Sequence, residues 1–179
     1  MTTADLTIQI TKGTREHLPR VLELMKGLAE FEKLLDEFRV TEALLERYLF
    51  IQEPAAELLV GCLDKEIRGY ALFFHNFSSF QGRPGIYLED VYVEPSARGK
   101  GLGKALLLEV IRIAHARGCR RSEWVVLDWN QRAKNFYESL GAEILSDWRI
   151  CRMNDVAMNK LVSGDLQEDD ETTESEGVS

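Results

Sequence analysis

Cysteine is scarce in this chain of 179 residues, which has three, spaced far apart at Cys62, Cys119 and Cys151. No two of them have the C-x-x-C spacing of a zinc or redox site. The three histidines are equally isolated in the sequence. We therefore expect no metal site, and we interpret the cysteines as core or incidental thiols.

Long apolar runs and an excess of positive charge are also lacking. No stretch approaches the ~20 apolar residues that a membrane helix needs, and residues 1–10 lack the basic-then-apolar order of a signal peptide. The chain has 22 Lys+Arg against 30 Asp+Glu, a formal net charge of -8. We therefore expect a cytoplasmic protein that binds neither a membrane nor nucleic acid.

The negative charge is concentrated at the C-terminal end of the sequence. Residues 163–179 contain seven acids and no bases, so the preceding 162 residues carry 22 positive and 23 negative groups. This tail has too little apolar content to offset the entropy of ordering it. We predict one globular domain over residues 1–162 and a disordered acidic tail over residues 163–179.

Hydrophobic periodicity predicts a chain of the α/β class. The pattern indicates a strand, two helices, three strands, a helix, a strand, a helix and further short strands. In chain order these are a strand at 6–10, helices starting at Thr14 and Thr41, strands at 58–63, 69–74 and 86–93, a helix at 104–116, a strand at 124–127, a helix at 131–140, and last strands at 144 and 148–153.

A glycine-rich basic segment lies between the strand that ends at Val93 and the long helix. It reads Arg98-Gly99-Lys100-Gly101-Leu102-Gly103-Lys104. Glycines let backbone N–H groups approach a phosphate closely, and the N-terminus of the following helix favours an anion. Neither the Walker spacing nor the dinucleotide pattern G-x-G-x-x-G fits. The segment therefore predicts a site for a different phosphorylated ligand.

The spacing that fits is R-x-x-G-x-G, formed by Arg98, Gly101 and Gly103 after the strand Tyr87-Leu88-Glu89-Asp90-Val91-Tyr92-Val93. In this pattern and position the sequence resembles the GNAT superfamily of N-acetyltransferases. Further motifs resemble its diamine acetyltransferase branch, which contains spermidine/spermine acetyltransferase and thialysine-acetylating relatives. These motifs are Asp128-Trp129-Asn130, Asn135-Phe136-Tyr137, Gly141-Ala142 and Trp148-Arg149.

The resemblance implies the GNAT fold, with a mixed and mostly antiparallel sheet of six or seven strands flanked by about four helices, in a homodimer. It also implies acetyl-coenzyme A (acetyl-CoA) as cosubstrate, without a metal. The cofactor-binding positions that it implies are the backbone of Val91, Tyr92 and Val93, the loop residues Arg98, Gly99, Lys100, Gly101, Leu102, Gly103 and Lys104, and the later residues Asn130 and Lys134.

Two catalytic residues follow from the same resemblance. Tyr137 is expected to be the general acid that protonates the departing thiolate, since a phenol with a pKa of ~10 is a reasonable match to that leaving group. Glu89 is expected to assist deprotonation of the amine. It alternates with Tyr87 and Val91 along the strand, so Asp90 should point to the opposite face unless a bulge changes the register.

The acceptor pocket implied by the resemblance consists of Phe31, Glu32, Glu89, Asp147 and Trp148. Carboxylates there suit an acceptor with a second cationic group. We expect direct transfer of acetyl from acetyl-CoA to a primary amine of a small diamine, polyamine or thialysine- or lysine-like acceptor. The alternatives are a protein amine, an aminoglycoside, or a catalytically silent CoA-binding module.

Overall fold

The computed structural model describes residues 6–164. The chain divides into two compact units, Met1–Leu127 and Asp128–Ser179. Of the predicted acidic tail, residues 165–179 lie outside the described residues. Within residues 6–164, no helix combines the length and the apolar character needed to cross a membrane.

The first unit is built on one sheet. Within the described residues the sheet has five strands, in the same order as in the sequence. The first four pair antiparallel, and the fifth pairs parallel with the fourth. The strands are β1 (Ile8–Lys12), β2 (Glu57–Leu63), β3 (Glu66–Ser78), β4 (Arg83–Val93) and β5 (Ser122–Glu123).

A tight hairpin joins β2 to β3. Asp64 and Lys65 both have positive φ, 53° and 71°, as a two-residue type I′ turn requires. Asp64 also accepts a hydrogen bond from the backbone N–H of Thr7 through its side chain, at 3.0 Å. The turn therefore fixes the register of β2 with β3 and ties the chain just before β1 to their loop.

Two long helices cover opposite faces of the sheet. Helix α1 (Leu18–Glu32) packs on the face that contains Tyr70, whereas the neighbouring Gly69 lies against Leu106 of a second helix, Leu102–Ala116. Side chains of neighbouring strand residues point to opposite faces, so the two helices lie on different sides. A short helix, α2 (Glu42–Leu49), begins at the N-cap Thr41, as its sequence predicts.

The helix after the glycine-rich segment is α3 (Leu102–Ala116). The second unit contains α4 (Gln131–Ser139) and α5 (Asp155–Ser163). Each of these two helices begins at an asparagine whose side-chain oxygen accepts a hydrogen bond from the backbone N–H three residues later. Asn130 accepts from Ala133 N at 3.2 Å, and Asn154 accepts from Ala157 N at 2.9 Å. Such N-caps satisfy backbone donors that the first turn leaves free.

The predicted class, a mixed and mostly antiparallel α/β fold, is confirmed, but the number of strands is wrong. The described sheet has five strands instead of six or seven. The described residues contain five α-helices instead of about four. The segments 124–127, 144 and 148–153 form no strand. Their residues suit strands locally, but a strand also needs a hydrogen-bonding partner, and the pairing of β5 with β4 stops at Glu123. Helix α5 was not predicted from the sequence.

One close contact between α1 and β4 yields a test of the packing. A Cβ added to Gly27 of α1 would lie 2.8 Å from the hydroxyl oxygen of Tyr92. The Tyr92 ring is buried and lies 6.4 Å from the ring of Tyr70, centroid to centroid. We predict that Gly27→Ala lowers the free energy of unfolding by about 1–2 kcal/mol, because overpacking outweighs the ~1 kcal/mol by which alanine favours a helix.

The matched control for this prediction is Tyr92→Phe, which removes the obstructing oxygen. In that background Gly27→Ala should be neutral or stabilising, as measured by urea unfolding of the four proteins. An equal cost of Gly27→Ala in both backgrounds would contradict the proposed clash.

Candidate active site

A bulge in β4 determines which side chains face α1. The consecutive β3 residues Leu72 and Phe73 pair with Asp90 and Leu88, so Glu89 is an extra residue in β4. An inserted residue shifts the alternation of the side chains that follow it. Asp90 therefore lies on the α1 side of the sheet, because the bulge, which was the stated exception to simple strand alternation, is present.

The Asp90 carboxylate is hydrogen-bonded inside the first unit. Tyr70, which is 0% exposed, donates its hydroxyl hydrogen to Asp90 Oδ2 at 3.0 Å. The pKa of Asp90 is raised to about 6, chiefly by burial; the charges of Glu89 and Glu32 contribute to this rise, and the Tyr70 hydrogen bond opposes it. Burial also raises the pKa of Glu32. Glu32 and Glu89 thus both lie close enough to act on Asp90, an arrangement that favours a cationic ligand.

The C-terminal part of β4 does not pair with β5, so one of its edges lies outside the described sheet. Within the described part, β5 pairs only with Ile86 and Tyr87 of β4. Residues 91–93 have their ladder partners in β3, at residues 69–71. The edge of 91–93 that faces away from β3 therefore lies beyond the β5 pairing. Apart from the Val93 carbonyl oxygen, which accepts from Arg98, the backbone groups on this edge are available to an extended ligand.

The glycine-rich segment has the geometry of an anion site. Gly99 and Gly101 have φ of 77° and 89°, a left-handed conformation that favours glycine. Gly101 is the N-cap residue of α3, and Lys100 and Lys104 are exposed. Backbone N–H groups at the start of a helix of 15 residues, flanked by two lysines, fit a phosphate group of a ligand.

The side chain of Arg98, at the start of the segment, is held in place by contacts with other residues of the first unit. Its guanidinium carbon lies 5.0 Å from the ring centroid of Phe31 and 5.4 Å from that of Tyr92. Its Nε donates to the carbonyl oxygen of Val93 at 2.8 Å. Arg98 therefore links the end of α1 to the end of β4 and supports the beginning of the glycine-rich segment.

A network of charged groups fixes the residue that follows β4. Glu94 accepts hydrogen bonds from Arg20 of α1, from Arg68 of β3 and, at 3.0 Å, from the hydroxyl of Ser96. Burial alone would raise the pKa of Glu94, but these hydrogen bonds hold it below its usual value. The chain is thus anchored just before the segment turns towards α3.

In the second unit, several predicted site residues have partners within that unit. The side chain of Asn130 caps α4. Lys134 Nζ contacts both the carbonyl oxygen of Asp128, at 3.2 Å, and its carboxylate, at 3.0 Å. Tyr137 lies on α4 with its ring 5.4 Å from the ring of Phe136, and it is half-buried.

The two predicted acceptor residues that follow α4 are exposed. Asp147 accepts a hydrogen bond from the hydroxyl of its neighbour Ser146 at 3.2 Å. Trp148 is 75% exposed. A large aromatic side chain with this exposure is available for contact with a ligand or a protein.

The first unit brings together Phe31, Glu32 and Glu89 with Tyr70, which sequence reasoning missed, and with Asp90, which it considered but did not assign to the site. The extra residue at Glu89 has no signature in the sequence, so strand alternation alone could not decide which face Asp90 occupies. Tyr70 stands in an apolar strand, Gly-Tyr-Ala-Leu-Phe-Phe, where its single hydroxyl was the available signal. A buried tyrosine hydroxyl usually has a partner, which points to a polar group nearby.

The chain is similar to known acetyltransferases. The model of the acetyltransferase (GNAT) family matches residues 26–142. A thialysine N-epsilon-acetyltransferase of Bos taurus is 36% identical over 165 residues, 86% of this chain and 96% of that protein. An L-ornithine N5-acetyltransferase of Arabidopsis thaliana is 42% identical over 98 residues, 55% of this chain and 43% of that protein.

Solved structures share the fold. An integron cassette protein from the mobile metagenome of V. cholerae has a TM-score of 0.71 at 24% identity, with 87% of this chain and 97% of that chain covered. A probable acetyltransferase has a TM-score of 0.70, also at 24% identity, with 82% and 97% covered. The chain is therefore an N-acetyltransferase that belongs to the GNAT family, and its relatives place it in the diamine acetyltransferase branch.

Proposed function

We propose that this enzyme transfers acetyl from acetyl-CoA to a primary amine of a small acceptor with a second cationic group, such as a diamine, a polyamine, or a thialysine- or lysine-like amino acid. The observation that carries the proposal is the placement of three carboxylates close to the glycine-rich segment. Glu89 and Asp90 lie on β4, the strand that precedes this segment, and Glu32 at the end of α1 lies near them. The names of the relatives from Bos taurus and Arabidopsis thaliana fit such acceptors.

The GNAT family uses acetyl-CoA as cosubstrate, and its thioester supplies an activated acetyl group. In our proposal the backbone N–H groups of 99–104 hold the pyrophosphate, assisted by the charges of Lys100 and Lys104. The free edge of 91–93 pairs with the extended pantetheine arm. Asn130 and Lys134 contact further parts of the coenzyme.

Acceptor binding in this proposal depends on charge and on aromatic surface. Glu32 and Glu89 bind the cationic groups of the acceptor, because charge pairing is strong in a partly desolvated site. Phe31 and Trp148 contribute aromatic faces, and Asp147 a further carboxylate. The interruption of the acidic segment 32–37 by a lysine and two leucines disfavours long polyamines.

Two proton transfers complete the proposed reaction. An ammonium group has no lone pair, so the amine must lose a proton before it attacks the thioester, and Glu89 assists this step directly or through water. The thiolate that leaves takes a proton from Tyr137. Both roles are general acid–base catalysis, which typically contributes about 10²–10⁴-fold to the rate.

Thiol release from acetyl-CoA tests the reaction and its acceptor. We predict turnover with thialysine, lysine or a short diamine such as 1,3-diaminopropane, weaker turnover with spermidine, and little with a peptide amine. Tyr137→Phe should lower kcat by about 10²-fold or more, because it removes the general acid while keeping the ring.

Two results would contradict this proposal. Preference for the peptide amine or for an aminoglycoside would indicate the corresponding alternative acceptor. Coenzyme binding without turnover on any amine would indicate the silent binding module. Full activity of Tyr137→Phe at all pH values would remove the assigned role of that residue alone.

The arrangement of Arg98 yields a second prediction. Arg98→Lys keeps the positive charge but loses the planar group between the two rings and the bond to Val93. We expect it to lower the free energy of unfolding by about 1–2 kcal/mol. Lys100→Gln removes an exposed loop charge and should weaken coenzyme binding with little change in stability, as isothermal calorimetry and urea unfolding would show.

The comparison of these two variants decides how Arg98 acts. If Arg98→Lys keeps its stability and loses coenzyme affinity as Lys100→Gln does, then Arg98 contacts the phosphate directly. A loss of stability accompanied by a smaller loss of affinity supports the role of Arg98 in holding the loop.

We also propose that the enzyme is a homodimer. Supporting this, large apolar side chains are exposed along residues 144–162, namely Ile144, Leu145, Trp148, Ile150, Met153, Val156, Met158, Leu161 and Val162. Exposed apolar surface of this kind marks protein interfaces.

Light scattering should give twice the chain mass of 20.4 kDa, and Leu161→Glu should shift the protein towards the monomer. A monomeric mass for the unmodified chain would contradict the proposal.

A further inference from the structure

The hydrogen bond between Tyr70 and Asp90 has no role in the chemistry proposed so far. Tyr70 comes from β3 and Asp90 from β4, one residue past the bulge. The hydroxyl hydrogen is donated to Asp90 Oδ2 at 3.0 Å, and the ring of Tyr70 is completely buried in the core under α1. A buried ring has little freedom to reorient, so the position of its hydroxyl is fixed.

We propose that Tyr70 is a positioning residue, which holds the Asp90 carboxylate on the α1 side of the sheet beside Glu32 and Glu89. Asp90 then adds a third negative charge to the acceptor side of the enzyme. The part of this inference that concerns the acceptor rests on the proposed function; the part that concerns the state of Asp90 does not.

The groups around Asp90 come from three elements. Tyr70 is on β3, Glu32 ends α1, and Glu89 and Tyr92 are on β4 itself, with Tyr92 next to the Tyr70 ring. Burial and the two carboxylates oppose ionisation of Asp90, whereas the Tyr70 hydroxyl favours it. Removing this hydroxyl should therefore raise the pKa of Asp90, by about one to two units for a hydrogen bond to a charged group.

Carboxyl ¹³C NMR of the complete, ligand-free protein tests this directly. The Asp90 resonance is assigned from its absence in Asp90→Asn and is followed from pH 4 to pH 9. We expect a midpoint near 6 in the unmodified protein and a midpoint about one unit or more higher in Tyr70→Phe. The control is Tyr48→Phe, which removes a hydroxyl from an exposed tyrosine on α2 and should leave the midpoint unchanged.

The kinetic counterpart is the ratio of kcat/KM between Tyr70→Phe and the unmodified enzyme as a function of pH, in which the titration of the acceptor cancels. The ratio should fall roughly threefold or more at pH 6.5, where fewer Asp90 groups remain ionised, and return close to one at pH 9. A merely structural defect would lower the ratio equally at every pH. Tyr48→Phe should give a ratio near one throughout.

Each outcome decides a distinct question. An unchanged Asp90 midpoint, or a loss of kcat/KM that does not depend on pH, would overturn the role of Tyr70. A raised midpoint in a protein that acetylates no amine would support the role of Tyr70 and overturn the proposed function. If Tyr70→Phe does not fold, Asp90→Asn replaces it in the kinetic experiment. Loss of the fall in kcat/KM on the acid side of pH 6 supports the inference, and an unaltered fall overturns it.

Discussion

The pairing of β3 with β4 is the constraint on which the candidate site depends. One additional residue in β4, Glu89, turns Asp90 towards α1 and sets it against the Tyr70 hydroxyl. The same strand ends at Val93, where Arg98 and Glu94 anchor the chain before it enters the glycine-rich segment. A shift of register in this pair would move the carboxylates away from α1 and would displace the start of the anion site as well.

The site has a cost in stability that the rest of the fold must offset. Because the pKa of Asp90 is raised above that of an unfolded aspartate, its ionisation opposes folding. This cost is fully present above about pH 6, declines as the pH falls, and vanishes once the carboxyl is protonated in both states. Glu94 behaves in the opposite way, since its hydrogen bonds lower its pKa and its stabilising contribution is lost on acidification. A group that destabilises the fold at neutral pH is typical of a functional site.

The sequence was sufficient to predict the fold class and the helices that flank the sheet, since each rests on local chemistry. Gly99 and Gly101 adopt the positive φ that their residue type suggests, and Thr41 caps α2 as expected. The parts that could not be predicted are non-local. Residues 124–127 and 148–153 have the composition of strands, but no partner strand pairs with them in the described structure. The face that Asp90 occupies depends on a register shift between two strands, which neither strand reveals alone.

Helix α1 ends at Glu32 without a basic residue in its last turn. The C-terminal end of a helix carries a partial negative charge from its unpaired carbonyl groups, and a carboxylate there is normally disfavoured. In this enzyme the backbone of α1 therefore adds to the negative potential of Glu32, Glu89 and Asp90. This contribution belongs to the peptide groups, so no side-chain replacement can abolish it.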